Sequence, residues 1–344
     1  MEITEKATNT DHEQVLIGRD AATGYHGIIA IHSTALGPAV GGTRFWNYAS
    51  EDEALTDVLR LSHGMTYKTA LAGLPLGGGK SIIIGDHTTS NREALLRAHG
   101  RFVETLKGRY ITAEDVGTSP ADMEIVRLET RHVAGLLSGS GDPSPFTARG
   151  VFRAIQASSR FRWDTDDLSR ATVAIQGCGH VGYNLAKFLH ESGAKLIVTD
   201  VNHDNVARVV DEFGAKDVEP GEIFSVTADI FAPCALGGVI NDATIPELEV
   251  QIVAGAANNQ LAEERHGAML RERNILYAPD YVANAGGVLN GCIEVLGWEA
   301  EHALRKVDGI YDTMMSIFES AQAEGITTNE AADRLAEDRL RRAL

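Results

Sequence analysis

The chain has 344 residues, 44% of them hydrophobic and 23% charged, and a formal net charge of -17. One hydrophobic core seldom grows past roughly 250–300 residues, so two domains are expected. The acidic balance argues against nucleic acid or a membrane surface as a partner. No apolar stretch approaches the roughly 18 residues of a membrane span, and Met1-Glu2-Ile3-Thr4-Glu5-Lys6 lacks the basic and apolar regions of a signal peptide. The cysteines, Cys178, Cys234 and Cys292, are scattered and form no Cys-x-x-Cys pair, which excludes a disulfide framework and fits a reducing cytoplasm. The histidines show no His-Glu-x-x-His or comparable spacing, so no metal site is expected.

In chain order, Tyr25–Ser33 (YHGIIAIHS) reads as a strand. Ser50 can cap a helix, with Glu53 completing a capping box, and Leu55, Val58, Leu61 and Met65 place an apolar stripe along it. The stretch GLPLGGGKSIIIGD, 73–86, resembles a phosphate loop only superficially. That motif needs a glycine where Leu74 stands, and a helix rather than the β-branched run Ile82-Ile83-Ile84 after the lysine. The glycines are read as a loop that lets something approach the backbone, with Lys80 presented beside it. A helix over 91–106, a strand over 109–113 and a helix starting at Ser119-Pro120 follow. The segment 138–145, with seven of its eight residues Gly, Ser or Pro, marks a linker.

Beyond it strands and helices alternate: a strand over 171–176, a helix over 180–192, the strand Lys195–Thr199 and a helix over 202–213. Further strands are expected over 229–232, 251–254 and 274–277, with two or three helices closing the chain from 283 to 344. Such alternation implies an α/β, doubly wound parallel sheet. Gly177-Cys178-Gly179-His180-Val181-Gly182 follows a strand and opens a helix, which is the context a dinucleotide fingerprint requires. Asp200 ends the next strand, 18 residues after Gly182, where a carboxylate accepts from the adenosine ribose and repels a 2′-phosphate. NAD is therefore expected rather than NADP, and Cys178 is read as a small residue rather than a redox thiol.

Lys68 falls on the apolar stripe of its helix, where a lysine either meets an anion or snorkels. Asp115 follows a strand, as a turn residue or as a functional acid at a carboxyl end. Together, Gly-Met-Thr-Tyr-Lys68, Leu-Gly-Gly-Gly-Lys80 and Thr-Ala-Glu-Asp115-Val-Gly resemble the Glu/Leu/Phe/Val amino-acid dehydrogenase superfamily. The segments Ala-Pro-Cys-Ala-Leu-Gly (232–237), Ala-Gly-Ala-Ala-Asn-Asn-Gln (254–260) and Ala-Pro-Asp-Tyr-Val-Ala-Asn-Ala-Gly-Gly-Val (278–288) are similar to its leucine/phenylalanine/valine branch, nearest leucine dehydrogenases.

This resemblance implies two α/β domains with the active site in the cleft between them. The first, 1–140, would bind substrate and carry oligomer contacts, and the second, 141–326, would bind NAD, with a final helix at 327–344 returning to the first. It implies Lys80 and Asp115 as catalytic groups, Lys80 acting on water and Asp115 exchanging a proton with the amine. Lys68 would anchor the α-carboxylate, with Val40, Gly41, Gly42, Met65, Ala113, Asn258, Asn259, Val288 and Gly291 around the substrate. Gly177, Cys178, Gly179, His180, Val181, Gly182, Asp200, Val201, Cys234, Ala235, Ala256, Ala257, Asn258 and Asn284 would line NAD. The implied reaction is reversible oxidative deamination of an apolar L-amino acid to 2-oxo acid and ammonium, in a cytoplasmic homo-oligomer. Glutamate is disfavoured because Val40 stands where the glutamate branch carries a lysine, and an unpaired buried carboxylate is costly. Gly291 replaces the valine usual in leucine enzymes, which keeps phenylalanine and other large apolar substrates open. A catalytically silent sensor of NAD or amino acids would normally have lost one of Lys68, Lys80 and Asp115; all three are present.

Overall fold

A computed structural model describes residues 1–6, 10–137 and 139–343. The chain forms two compact units: Met1–Gly141 with Gly291–Trp298 and Ala336–Leu344, and Asp142–Asn290 with Glu299–Leu335. The stretch 141–326, expected as one continuous domain, is thus interrupted at 291–298, and 327–335 stays with the second unit. Of the expected linker, Ser138 lies outside the described residues; 139–143 is irregular and a helix starts at Ser144.

The first unit contains β1 (Glu2–Glu5), β2 (Gln14–Asp20), β3 (Tyr25–Ser33), β4 (Ala39–Trp46), α1 (Glu51–Leu71), β5 (Gly77–Ile84), α2 (Arg92–Glu104), β6 (Tyr110–Glu114) and α3 (Pro120–Arg127). Its mixed sheet runs β1-β2-β3-β5-β4-β6, with β4 parallel to both β5 and β6. Side chains alternate across the sheet. Ile28, Ala30 and Ile82 pack against Ala54 and Val58 of α1. Ile29, Ile31, Phe45 and Ile83 pack with Leu96 and Phe102 of α2 and Met123 and Val126 of α3.

The second unit begins with α4 (Ser144–Trp163), for which the sequence reading gave no element. Its buried face is mostly small, including Ala148, Gly150, Ala154 and Ser158, so it carries little apolar periodicity. Then come β7 (Thr172–Gln176), α5 (His180–Glu191), β8 (Lys195–Thr199), α6 (His203–Phe213), β9 (Lys216–Asp217), β10 (Ile230–Pro233), β11 (Ile252–Val253), α7 (Arg265–Glu272), β12 (Leu276–Tyr277) and α8 (Asp280–Ala283). The strands form the expected parallel sheet, in the order β12-β11-β10-β7-β8-β9. Four helices, rather than two or three, close the chain: α9 (Gly286–Val295), α10 (Ala300–Asp308), α11 (Ile310–Glu324) and α12 (Thr328–Arg341). Leu344 lies outside the described residues. No described helix is long and apolar enough to cross a membrane.

Ser50 caps α1 as expected, accepting from the Glu53 N–H at 3.1 Å, but the Glu53 carboxylate reaches the N–H of Ala49, one residue short of a reciprocal box. The packed face of α1 also differs from the expected stripe. Ala54, Val58, Ser62, Thr66 and Thr69 are buried, whereas Leu61 and Met65 are only half-buried. The cause is the glycine run. Gly77, Gly78 and Gly79 belong to β5 and not to a loop, and they admit the protein's own atoms. A Cβ on Gly78 would stand 2.0 Å from the Thr66 nitrogen, and one on Gly77 2.0 Å from the Ser33 carbonyl oxygen. A helix this close to a strand needs small residues on its contact face.

Gly78→Ala is therefore expected to cost at least about 3 kcal/mol, since a backbone atom has to move. Gly64, in the same helix, faces open space. Gly64→Ala should stabilise by about 0.5–1 kcal/mol through helix propensity. Denaturant midpoints of the two variants check both signs.

Candidate functional site

Lys80 is the first residue after the glycine run to carry a side chain. Alternation places it on the α1 face with Gly78 and Ile82, and it is 6% exposed. Its Nζ lies 2.9 Å from Asp115 Oδ2. Asp115 follows β6 in a turn closed by the Thr118 N–H donating to the Asp115 carbonyl, while the Asp115 N–H donates to Thr118 Oγ1. The same carboxylate oxygen takes a bond from Arg44 Nε at 3.0 Å; Arg44 Nη1 donates to Asp57 Oδ2 at 2.8 Å, which also accepts from Tyr48 OH at 2.6 Å. A row of alternating charge results: Lys80, Asp115, Arg44, Asp57.

Burial is the largest influence on Lys80 and pushes it below the usual lysine value; Asp115 opposes this, and Arg44 adds to it. Burial alone would raise Asp115, but Lys80 and then Arg44 hold it below the ordinary carboxylate range. The pair is thus an ammonium and a carboxylate that compensate each other in a poorly solvated place, a lysine easier to deprotonate than one in water.

A second polar network locks the strands. The ring of His99, buried and held neutral with its value pushed down to about 3, lies 2.8 Å from Tyr25 OH and 2.9 Å from Thr43 Oγ1. Thr43 Oγ1 also meets Ser81 Oγ and Thr112 Oγ1, and Tyr110 OH donates to the Gly41 carbonyl at 2.6 Å. These bonds fix β4, β5 and β6 around Lys80. Val40 is buried beside Gly78 and Ile111; Gly42 lies beside Ala113, and Gly41 beside Thr112. Met65 and Lys68 are half-buried on α1. Gly291 sits where α9 belongs to the first unit, and a Cβ there would meet nothing within 4 Å. Val288, Asn258 and Asn259 belong to the second unit. The sequence reading did not find Arg44, Asp57, Tyr48 or His99, whose partners lie 9 to 74 residues away.

In the second unit the glycine turn joins β7 to α5. Gly177 adopts φ +100°, and a Cβ on Gly182 would stand 1.9 Å from the Gly177 carbonyl oxygen, so helix packs directly on turn. A Cβ on Gly179 would meet no protein atom within 4 Å, which leaves room beside the N-terminus of α5. Asp200 Oδ2 accepts the Cys178 N–H at 2.6 Å, and Oδ1 that of Asn202 at 2.8 Å. Burial pushes the Cys178 and Cys234 thiols up to about 12, so neither is a thiolate. Val201 is exposed, and His180 and Val181 form the first turn of α5. Cys234 follows β10, its N–H donating to Gln176, and Ala235 lies against Gly177. Ala256, Ala257, Asn258 and Asn259 follow β11. Asn284 Nδ2 donates to the Ala256 carbonyl and Asn258 Oδ1, while its own buried Oδ1 has no hydrogen-bond partner. The space at Gly179, the free helix N–H groups and this orphaned acceptor suit a dinucleotide's pyrophosphate and carboxamide.

Residues 12–132 match the family described as Glu/Leu/Phe/Val dehydrogenase, dimerisation domain, and residues 139–216 and 199–344 match Glutamate/Leucine/Phenylalanine/Valine dehydrogenase. The chain is 54% identical to a leucine dehydrogenase of Thermoactinomyces intermedius over 343 residues, covering 99% of this chain and 94% of that one. The crystal structure of L-tryptophan dehydrogenase from Nostoc punctiforme superposes with a TM-score of 0.88 at 49% identity, covering 97% of each chain. A phenylalanine dehydrogenase of Caldalkalibacillus thermarum is 46% identical over 97% of this chain and 92% of that protein.

Removing the Arg44 charge should raise the pKa values of both Lys80 and Asp115, because the guanidinium disfavours the ammonium and favours the carboxylate. Titration of Lys80 in ¹³C-lysine-labelled wild type and Arg44→Gln checks this. An unchanged or lower Lys80 value in the variant refutes the assignment of Arg44.

Proposed function

This chain belongs to the Glu/Leu/Phe/Val dehydrogenase family, and from that premise we propose which residues carry its NAD-dependent oxidative deamination of an apolar L-amino acid. The observation that supports the assignment is the buried Lys80–Asp115 pair with Arg44 behind it.

Lys68 binds the substrate α-carboxylate, a point charge meeting a point charge. Asp115 takes a proton from the substrate ammonium, since a free amine is needed before Cα can lose hydride. NAD, when bound, would supply the hydride acceptor. Lys80, with its lowered pKa, removes a proton from the water that attacks the resulting iminium carbon, and returns it as ammonium leaves. Arg44 orients Asp115 and holds it as the carboxylate until it takes the proton from the substrate ammonium. The glycine turn and the α5 N-terminus hold the pyrophosphate, Asp200 takes the adenosine ribose hydroxyls with Val201 beside it, and Asn258 and Asn284 hold the carboxamide. Cys234, Ala235, Ala256 and Ala257 line the cofactor, and Asn259 completes the substrate side.

To the apolar side chain of the substrate we assign Val40, Gly41, Gly42, Met65, Ala113 and Gly291 of the first unit, and Val288 by its motif. None carries a charge, which favours leucine and its branched relatives over glutamate. The enzyme works in branched-chain amino-acid catabolism in the cytoplasm. It is a homo-oligomer, a reading supported by the dimerisation-domain match over 12–132.

Appearance of reduced-nicotinamide absorbance with leucine and NAD⁺ tests the function. Lys80→Ala should lower kcat by roughly 10²–10⁴, whereas Lys68→Ala should mainly raise the amino-acid KM. Near wild-type kcat in Lys80→Ala would remove the role given to that lysine.

Gly291 sets the expected breadth. Each extra buried methylene contributes about 0.8 kcal/mol, so one or two shift kcat/KM by roughly 4- to 15-fold. Wild type should accept branched and larger apolar amino acids, and Gly291→Val should lower the phenylalanine-to-leucine ratio of kcat/KM. An unchanged ratio would show that position 291 does not line the pocket.

A further inference from the structure

We propose that Asp11, His12 and His32, in the first unit, form a binding site for a divalent transition-metal ion of the zinc type. The hairpin register creates the cluster. Gln14 pairs with Ile31, and the Glu13 N–H donates to the His32 carbonyl at 3.2 Å, which sets His12 beside His32 with ring centroids 4.8 Å apart. One ligand atom from each of the three residues lies within 4.8 Å of the other two.

The surroundings fix which ring nitrogens face the site. His12 Nε2 lies 3.1 Å from the Leu59 carbonyl oxygen and 2.8 Å from Ser62 Oγ. A carbonyl only accepts, so Nε2 carries the proton and Nδ1 presents a lone pair. Thr66 Oγ1 donates to the Ser62 carbonyl and hence accepts from His32 Nδ1 at 2.9 Å, leaving the lone pair on Nε2. That Nε2 is buried and stands 3.3 Å from Asp11 Oδ2, on the side where the ion would sit. His32 is itself 5% exposed.

Two imidazole nitrogens and a carboxylate oxygen, each imidazole anchored through its other N–H, are the ligand set and outer shell of a zinc-type site with a position left for water. The Asp11 side chain is 76% exposed and can close on an ion arriving from solvent. Thr10 Oγ1, 2.9 Å from His12 Nδ1, is the group such an ion displaces.

The other His–carboxylate cluster, Asp242, Glu263 and His266, lacks this property. His266 Nδ1 accepts the Glu263 N–H, so its Nε2 carries a proton, and Arg265 already engages both acids. At the proposed site the anchors Leu59, Ser62 and Thr66 all belong to α1, so an ion would staple the segment ahead of β2 to that helix. Its effect is on stability rather than on the chemistry.

The test is calorimetric titration of the chelator-treated full chain with Zn²⁺, and thermal unfolding with and without the ion. One ion per chain is expected at this site, with Tm rising by roughly 3–6 °C at a hundredfold excess over Kd. Asp11→Asn and His12→Gln alter groups at the edge of the cluster; each should weaken binding at least ~10-fold and abolish most of the Tm shift, leaving turnover unchanged. No binding by wild type, or the same affinity and Tm shift in wild type and both variants, overturns the proposal.

Discussion

Three missing side chains govern the first unit. Because Gly77, Gly78 and Gly79 have no Cβ, the Ser33 carbonyl, the backbone of α1 and the Tyr110 ring each occupy the space a side chain would take. Helix and strand therefore touch through backbone, and Thr66 and Thr69 replace the larger residues a helix usually presents to a sheet. Lys80 enters this tight contact as the first full side chain in the row. It has nowhere to snorkel, and its charge has to be met where it lies.

Lys80 is met by one carboxylate, and that carboxylate by a second cation, in a row that ends at Asp57 on α1. Each member compensates a neighbour, so deleting one leaves a partly buried charge, which costs far more than the intact pair contributes. This also makes the pair useful for proton transfer: burial and Arg44 bring the ammonium down, while Asp115 keeps it from being expelled. The proposed role of Lys80 needs that balance, since a lysine at its ordinary value would rarely be a base near neutral pH.

Legibility in the sequence followed the range of the interaction. Tyr25–Ser33 and Lys195–Thr199 were readable to the residue because a buried strand is a continuous apolar run bounded by turn formers. The glycine turn was readable because its chemistry is local, and Lys68, Lys80 and Asp115 were reached through their motifs. What the sequence hid was set at a distance. The contact face of α1 was misassigned because the decisive partner, Gly78, is outside the helix. Helix α4 was missed because it buries alanines and serines. Arg44 and Asp57 have no local signature, and His12 and His32 are 20 residues apart until the β2–β3 register aligns them.

Both units place their candidate site residues by the same rule. In a parallel sheet the carboxyl ends of neighbouring strands emerge on one edge, where loops leave the sheet and backbone groups are not all paired. In the second unit the glycine turn, Asp200, Cys234 and Ala256 to Asn259 follow β7, β8, β10 and β11 in that order. In the first, Asp115 follows β6, which is parallel to β4. Lys80 is the exception, held inside β5, and its position explains the glycines again. A loop lysine would titrate like any exposed ammonium, whereas one fixed within a sheet is desolvated by its neighbours. The strand supplies the burial, the glycines make room for the helix that completes it, and the Lys80 nitrogen keeps a fixed place beside Asp115.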